Sequence, residues 1–135
     1  MTPHYLLDTN VCIEIVRGRH PGIQTRMEAL SYGEAAICSI VWAELELRAH
    51  LSPKGYARAR IPIEIFTLLP QWPFDRASAE RYAELRANLQ RKGQIIGGHD
   101  MQIAAIALVH GLILVTHNTR EFARIPGLQL EDWQS

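Results

Sequence analysis

Apolar positions along the chain change spacing repeatedly, and the changes mark strands alternating with helices. Tyr5-Leu6-Leu7 is a continuous apolar run halted by Asp8-Thr9-Asn10, which reads as a short buried strand. Val11, Ile13, Ile15 and Val16 predict a two-turn helix bounded by Arg17-Gly18-Arg19. His20-Pro21-Gly22 restarts the chain, and Ile23, Met27 and Leu30 predict a second helix reaching Ser31. Tyr32-Gly33 reads as a turn, Ala35–Ser39 as a second buried strand, and Ile40–Leu51 as a third helix broken by Ser52-Pro53. Pro62 rules out one straight helix from Tyr56 to Leu69, because a proline ring has no N–H and clashes with the preceding turn. Leu68–Phe74 carries Pro70 and Pro73 and fits only an edge strand. Asp75 is placed to cap a helix over Arg76–Arg91, with Ala79, Tyr82, Ala83 and Leu89 inward and Glu80 and Glu84 on a salt-bridged outer face.

The stretch Gln94–Phe122 organises the rest. Gly97 and Gly98 supply a permissive loop, and Asp100 stands where a helix begins. Ile103, Ala104, Ala107 and Leu108 recur at helical spacing, Gly111 ends the helix, and Leu112–Val115 is a strand-like run. Thr116, Asn118 and Glu121 follow that strand, and a last short strand is expected at Leu128–Leu130.

Strands alternating with helices predict an α/β fold with a central, mainly parallel β-sheet flanked by α-helices. Such a sheet gathers the carboxyl ends of its strands at one edge, where open α/β sheets bind ligands. Asp8 ends the first strand and Glu121 follows the fourth, while Asp100 and Glu44 sit on helices able to converge there. Other readings stand beside this one: Asp8 is also a good helix N-cap, and Glu44 and Glu46 also read as solvated acids on the third helix. Four gathered carboxylates repel one another, so either some keep a proton or cations bind. Oxygen donors without Cys or paired His favour Mg²⁺ or Mn²⁺ over zinc.

Composition narrows the classes. The 135 residues suit one domain over 1–135 with a real core, and 47% hydrophobic content argues against disorder. The 14 basic and 14 acidic residues balance, so bulk charge selects neither nucleic acid nor membrane as partner. Twelve of the basic residues are Arg, the better reader of phosphate geometry. Cys12 and Cys38 lie in apolar runs and read as reduced packing residues. No apolar stretch approaches the roughly 20 residues that span a bilayer, so a soluble, cytoplasmic protein is expected.

Five segments taken in order resemble the PIN-domain ribonucleases of the VapC type, the toxin half of bacterial toxin–antitoxin pairs. They are LLDTN at Leu6–Asn10, AEL at Ala43–Leu45, IGGHDMQIAA at Ile96–Ala105, LVTHNTREF at Leu114–Phe122 and PGLQLEDW at Pro126–Trp133. The resemblance covers essentially the whole chain and implies the PIN-domain fold. It implies that Asp8, Glu44 and Asp100 hold divalent metal, Mg²⁺ or Mn²⁺. Many relatives have Asp where this chain has Asn118, so the fourth position falls to Asn118 or to the nearest acid, Glu121. Thr9 and Thr116 would orient carboxylates, and Arg17, Arg19, Arg48 and Arg120 would hold the RNA backbone. The implied activity is metal-assisted hydrolysis of structured RNA, tRNA foremost, leaving a 5′-phosphate. The implied partners are a VapB-like antitoxin that pushes a basic residue toward the acidic pocket, and a second toxin copy. Trp42, Trp72 and Trp133 are many large aromatics for a chain this size and are expected at such interfaces. The competing reading is a catalytically idle PIN-fold protein acting by binding. An Asp-nucleophile phosphatase would want a second Asp where Asn10 stands, and a His-Asp metal phosphohydrolase around His99-Asp100 would want further His ligands.

Overall fold

The computed structural model describes residues 3–134; Met1, Thr2 and Ser135, the ends of the expected domain, lie outside the described residues. Among these residues five short strands form the sheet: β1 (Tyr5–Leu7), β2 (Ala35–Cys38), β3 (Gln71–Trp72), β4 (Ile113–Val115) and β5 (Leu130–Glu131). Their order is β3-β2-β1-β4-β5, and every pairing is parallel. From β1 the chain steps outward through β2 to β3, then returns to the other side of β1 as β4. The carboxyl ends of β1 and β4 therefore flank the point where strand order reverses, and a crevice opens there.

Among the described residues seven α-helices carry the crossovers: α1 (Thr9–Arg17), α2 (Pro21–Ala29), α3 (Ser39–Leu51), α4 (Tyr56–Arg60), α5 (Arg76–Arg91), α6 (Gly98–His110) and α7 (Thr119–Phe122). A 3₁₀ helix over Ile61–Leu68 continues α4, so the chain resolves Pro62 by tightening and not by a break. The central strands are apolar on both faces, with Leu6, Leu7, Ala36, Ile37, Leu114 and Val115 fully enclosed. Buried parallel strands covered on both sides need such runs. Met101, Ile103, Ala104 and Ile106 make α6 apolar around most of its circumference, and it packs inside the molecule. No helix among the described residues is long and apolar enough to cross a membrane. Cys12 and Cys38 are buried free thiols.

Several boundaries and faces differ from the sequence reading. The stripe of α5 that turns inward is Ser78, Leu85 and Leu89, with Tyr82 half-buried, while Ala83 is exposed. A helix places residues four and three apart on one face, and Ala83 lies off that line. Trp133 is 2% exposed, held edge-on by Tyr5 and covered by the Arg26 guanidinium. Trp72 stacks on His110 and Trp42 lies under Arg60. Trp133 is thus enclosed by the fold's own packing, while Trp42 and Trp72 stay half-buried against these neighbours. Glu46 is likewise not a free surface acid: it pairs with Arg60 at 2.5 Å and accepts the Tyr56 hydroxyl at 2.8 Å.

Candidate active site

Asp8 follows β1 immediately and is only 5% exposed. Its backbone N–H donates to Val115 O at 3.1 Å, which fixes the residue against the end of β4. Its Oδ1 accepts the Val11 N–H at 2.9 Å and so caps α1. Its capping bond uses one carboxylate oxygen, Oδ1. Burial lifts this carboxyl from 3.8 to about 6, opposed by the Thr116 hydroxyl and the Val11 N–H and reinforced by the charges of Asp100 and Glu44.

Asp100 lies in the first turn of α6, whose helix starts two residues earlier than its position, at Gly98, with Gly97 as N-cap. Its pKa is raised first by burial and then by Glu44 and Glu121, with His99 acting the other way. A Cβ on Gly97 would stand 3.3 Å from Asp100 Oδ2, so the glycine leaves the carboxylate its room. Glu44, on α3, accepts the Thr9 hydroxyl at 3.0 Å, with His99 Nδ1 3.8 Å from the same oxygen. Asp8, Glu44 and Asp100 thus feel one another's charge, and Glu121 on α7 acts on Asp100. Among the described residues no three His, Cys, Asp or Glu side chains are drawn in tightly enough to enclose an ion. The acidic groups carry oxygen donors only, and carboxyls lifted first by burial and then by neighbouring charge are those a hard divalent cation relieves.

Asn118 precedes α7, and its backbone N–H donates to Thr116 Oγ1 at 3.0 Å. It lines a polar cleft of about 430 Å³ shared with Arg17, Arg19, Arg48 and His117. Arg120 lies on the exposed side of α7, away from that cleft. Inside the cleft stands a residue the sequence reading passed over. Glu14 is 8% exposed and bonds Arg17 at 3.1 Å and Arg19 at 2.7 Å, with His20 Nε2 at 2.7 Å. Its signal was an acid inside the apolar run Val11–Val16, followed at once by Arg17, Arg19 and His20.

The class of protein is a parallel α/β domain of order β3-β2-β1-β4-β5 with acids near the point where strand order reverses. The family model for the PIN domain matches residues 5–128. The tRNA(fMet)-specific endonuclease VapC of Shigella flexneri is 34% identical over 129 residues, 96% of this chain and 97% of that protein. Ribonuclease VapC2 of Rickettsia felis is 37% identical over 131 residues, again 96% and 97%. Among solved structures, DNA-bound VapBC from Salmonella typhimurium superposes with a TM-score of 0.90 at 36% identity, covering 97% of this chain and 98% of that one. VapBC2 from Rickettsia felis, bound to a DNA fragment from their promoter, gives 0.88 at 36% identity over 98% and 99%. The chain belongs to the PIN-domain family and, within it, to the VapC-type ribonuclease toxins.

Proposed function

We propose that this chain, as a single domain over its whole length, is a Mg²⁺- or Mn²⁺-dependent endoribonuclease toxin that cuts tRNA in the cytoplasm. We further assign Asp8, Glu44 and Asp100 to metal holding, with Glu121 completing the acidic set and Asn118 at its margin. The observation that carries this is the lifted Asp8 carboxyl, buried and pressed by Asp100 and Glu44 at the carboxyl ends of β1 and β4. Carboxyls lifted by burial and then further by neighbouring acids cluster at sites that do chemistry. The names of the Shigella flexneri and Salmonella typhimurium relatives, both tRNA(fMet)-specific endonucleases, support tRNA as substrate.

The chain's own groups divide the work. Val11 N–H and the Thr116 hydroxyl hold Asp8, and the Thr9 hydroxyl holds Glu44. These carboxylates would hold a divalent cation, which would supply water activation and offset the charge building on the phosphate. Arg17, Arg19 and Arg48 line the adjoining cleft, where their guanidiniums hold the RNA backbone that an acidic pocket alone repels. Arg120, exposed on α7 outside that cleft, offers a separate phosphate contact.

Silencing falls to a VapB-like antitoxin bound to a toxin homodimer, a reading supported by neighbours solved as VapBC complexes. An apolar groove of about 310 Å³ runs along α1, α3 and the 3₁₀ helix, floored by Ile13, Leu45, Ala49 and Ile63 and rimmed by Arg17, Arg48 and Arg58. An amphipathic segment with acidic flanks fits that groove. Because Arg17 and Arg48 belong to both groove and cleft, such a segment also covers the RNA-holding side chains.

The test is cleavage of unfractionated tRNA by purified toxin. EDTA abolishes it, Mn²⁺ restores it, and Asp8→Asn lowers turnover at least about a hundredfold while RNA binding holds. Full cleavage in excess chelator overturns metal dependence. Growth arrest by Asp8→Asn as strong as the parent's replaces catalysis with the idle binding protein.

A further inference from the structure

Glu14 is a nearly buried acid on the wall of a cleft that must accept a polyanion, which on charge alone is the wrong residue there. Its surroundings explain it. Oε1 accepts from Arg17 at 3.1 Å and from Arg19 at 2.7 Å, and Oε2 accepts from Arg19 at 3.2 Å. His20 Nε2 lies 2.7 Å from Oε2. The hydrogen bond from Arg19 pulls the carboxyl down from 4.5 to about 2 against the effect of burial, with Arg17 and His20 adding to it, so it stays ionised throughout the neutral range.

The arginines are not used up by this pairing. Side chains of Arg17 and Arg19 remain 47% and 61% exposed, against 9% for Glu14. A guanidinium carries five N–H donors in a rigid fork, and each arginine binds Glu14 through a single nitrogen. Glu14, Arg17 and Arg19 line one cleft with Arg48 and Asn118, and the largely exposed guanidiniums keep unused donors there. Long basic side chains lose much rotamer freedom when they grip a ligand, and ordering them beforehand strengthens binding.

We infer that Glu14 is a positioning residue that fixes Arg17 and Arg19 as a preformed clamp for RNA phosphates beside the acidic site. The inference rests on the reading of Arg17 and Arg19 as RNA-holding residues. It also gives the pair Glu14–Arg19 a direction of effect opposite to simple electrostatics: removing an acid from a phosphate cleft should tighten binding, whereas removing a positioning acid should loosen it.

The experiment measures binding of unfractionated tRNA to the full chain in an Asp8→Asn background at several salt concentrations. Glu14→Gln weakens binding on the order of tenfold, the scale of a lost charge-assisted contact, and flattens the salt dependence by about one phosphate contact. In the cleavage-competent chain KM rises while kcat at saturating tRNA stays within about twofold, because the metal-holding carboxylates are untouched. In an Arg17→Ala/Arg19→Ala background Glu14→Gln has no further effect on affinity. Should Glu14→Gln melt within the assay range, Glu14→Asp, which keeps the charge at shorter reach, carries the same cycle. Unchanged or tighter binding by Glu14→Gln, with the arginine variants weakened, overturns the positioning role and leaves the arginines' role standing. Loss of affinity by Glu14→Gln that persists undiminished without the arginines also overturns it. Parent-like binding by the Arg17→Ala/Arg19→Ala chain overturns the RNA-holding reading itself.

Discussion

Thr9 and Glu44, 35 positions apart in sequence, are joined by a 3.0 Å hydrogen bond from the threonine hydroxyl to Oε1. The bond ties the first turn of α1, which Asp8 caps, to the middle of α3. Glu44 is thereby held at the same end of the sheet as Asp8. Thr9→Ala removes the donor and leaves the carboxylate to swing on a half-exposed helix face. The expected loss is on the order of tenfold in metal affinity and cleavage, as for groups that orient a ligand. Stability falls by only about 0.5–1.5 kcal/mol. Thr9→Ser restores both. Parent-like cleavage by Thr9→Ala, assayed across a Mn²⁺ titration, removes Thr9 from the site.

Asp8 gives a pH dependence whose sign follows from its raised pKa. Its carboxyl titrates at about 6 in the folded chain against 3.8 for the free group. Between those values the folded state binds more protons than the unfolded one, so stability falls as pH rises through that window. The shift corresponds to about 3 kcal/mol at neutral pH without a cation. Asp8→Asn can still cap α1 and carries no such penalty. In EDTA at pH 7.5 the variant is therefore the more stable chain, and the difference from the parent vanishes near pH 4. Mn²⁺ raises the parent's unfolding midpoint at pH 7.5 and hardly at all at pH 4, where protons hold the site. Urea unfolding of both chains across pH 4–8 reads this out, and a difference that does not vary with pH contradicts it.

Adjacent glycines separate a site effect from a helix effect. A methyl on Gly97 meets Asp100 Oδ2 at 3.3 Å, whereas the nearest atom to one on Gly98 is Arg86 Nη1 at 3.9 Å. Gly97→Ala should displace the Asp100 carboxylate and lower cleavage about tenfold or more, with a modest change in melting temperature. Gly98→Ala, at the first position of α6, keeps activity and stabilises by up to about 1 kcal/mol. Equal activities of the two variants would show that room beside Asp100 is not limiting.

Local signals made much of this fold legible, and long-range pairing hid the rest. Asp75 followed by sixteen residues of helix over Arg76–Arg91 was readable because capping and periodicity are both local. The strands at Tyr5–Leu7 and Ala35–Cys38 were readable because buried parallel strands are uninterrupted apolar runs. Trp133 was not, since its cover comes from Tyr5 and Arg26 on distant elements. Composition counts aromatics but cannot say what covers them. Glu46 was misread for the same reason, its partners Arg60 and Tyr56 being contributed by α4. The acids at Asp8 and Asp100 were legible from strand-end and helix-start positions, whereas the Thr9–Glu44 bond required the packed helices. Glu14 is the exception: its partners lie within six residues, and the pattern was open to reading.

The fourth acidic position separates Glu121 from Asn118. Glu121 is close enough to Asp100 for its charge to raise that carboxyl, while Asn118 lines the cleft with Arg17, Arg19 and Arg48. An ionised carboxylate that destabilises its neighbour without a cation is a group that gains when a cation arrives. A neutral amide brings no such gain. Glu121→Gln keeps the size and removes the charge, so it should weaken Mn²⁺ binding about tenfold, in the range of other carboxylate ligands' supporting groups. In EDTA it should also lower the Asp100 pKa, visible as a downward shift of that carboxyl in an NMR titration. Asn118→Ala should leave the Mn²⁺ titration near the parent's and act on tRNA affinity instead, because its place is among the arginines. If Asn118→Ala weakens Mn²⁺ binding more than Glu121→Gln does, the fourth ligand is Asn118, and Glu121 serves only to set the charge around Asp100.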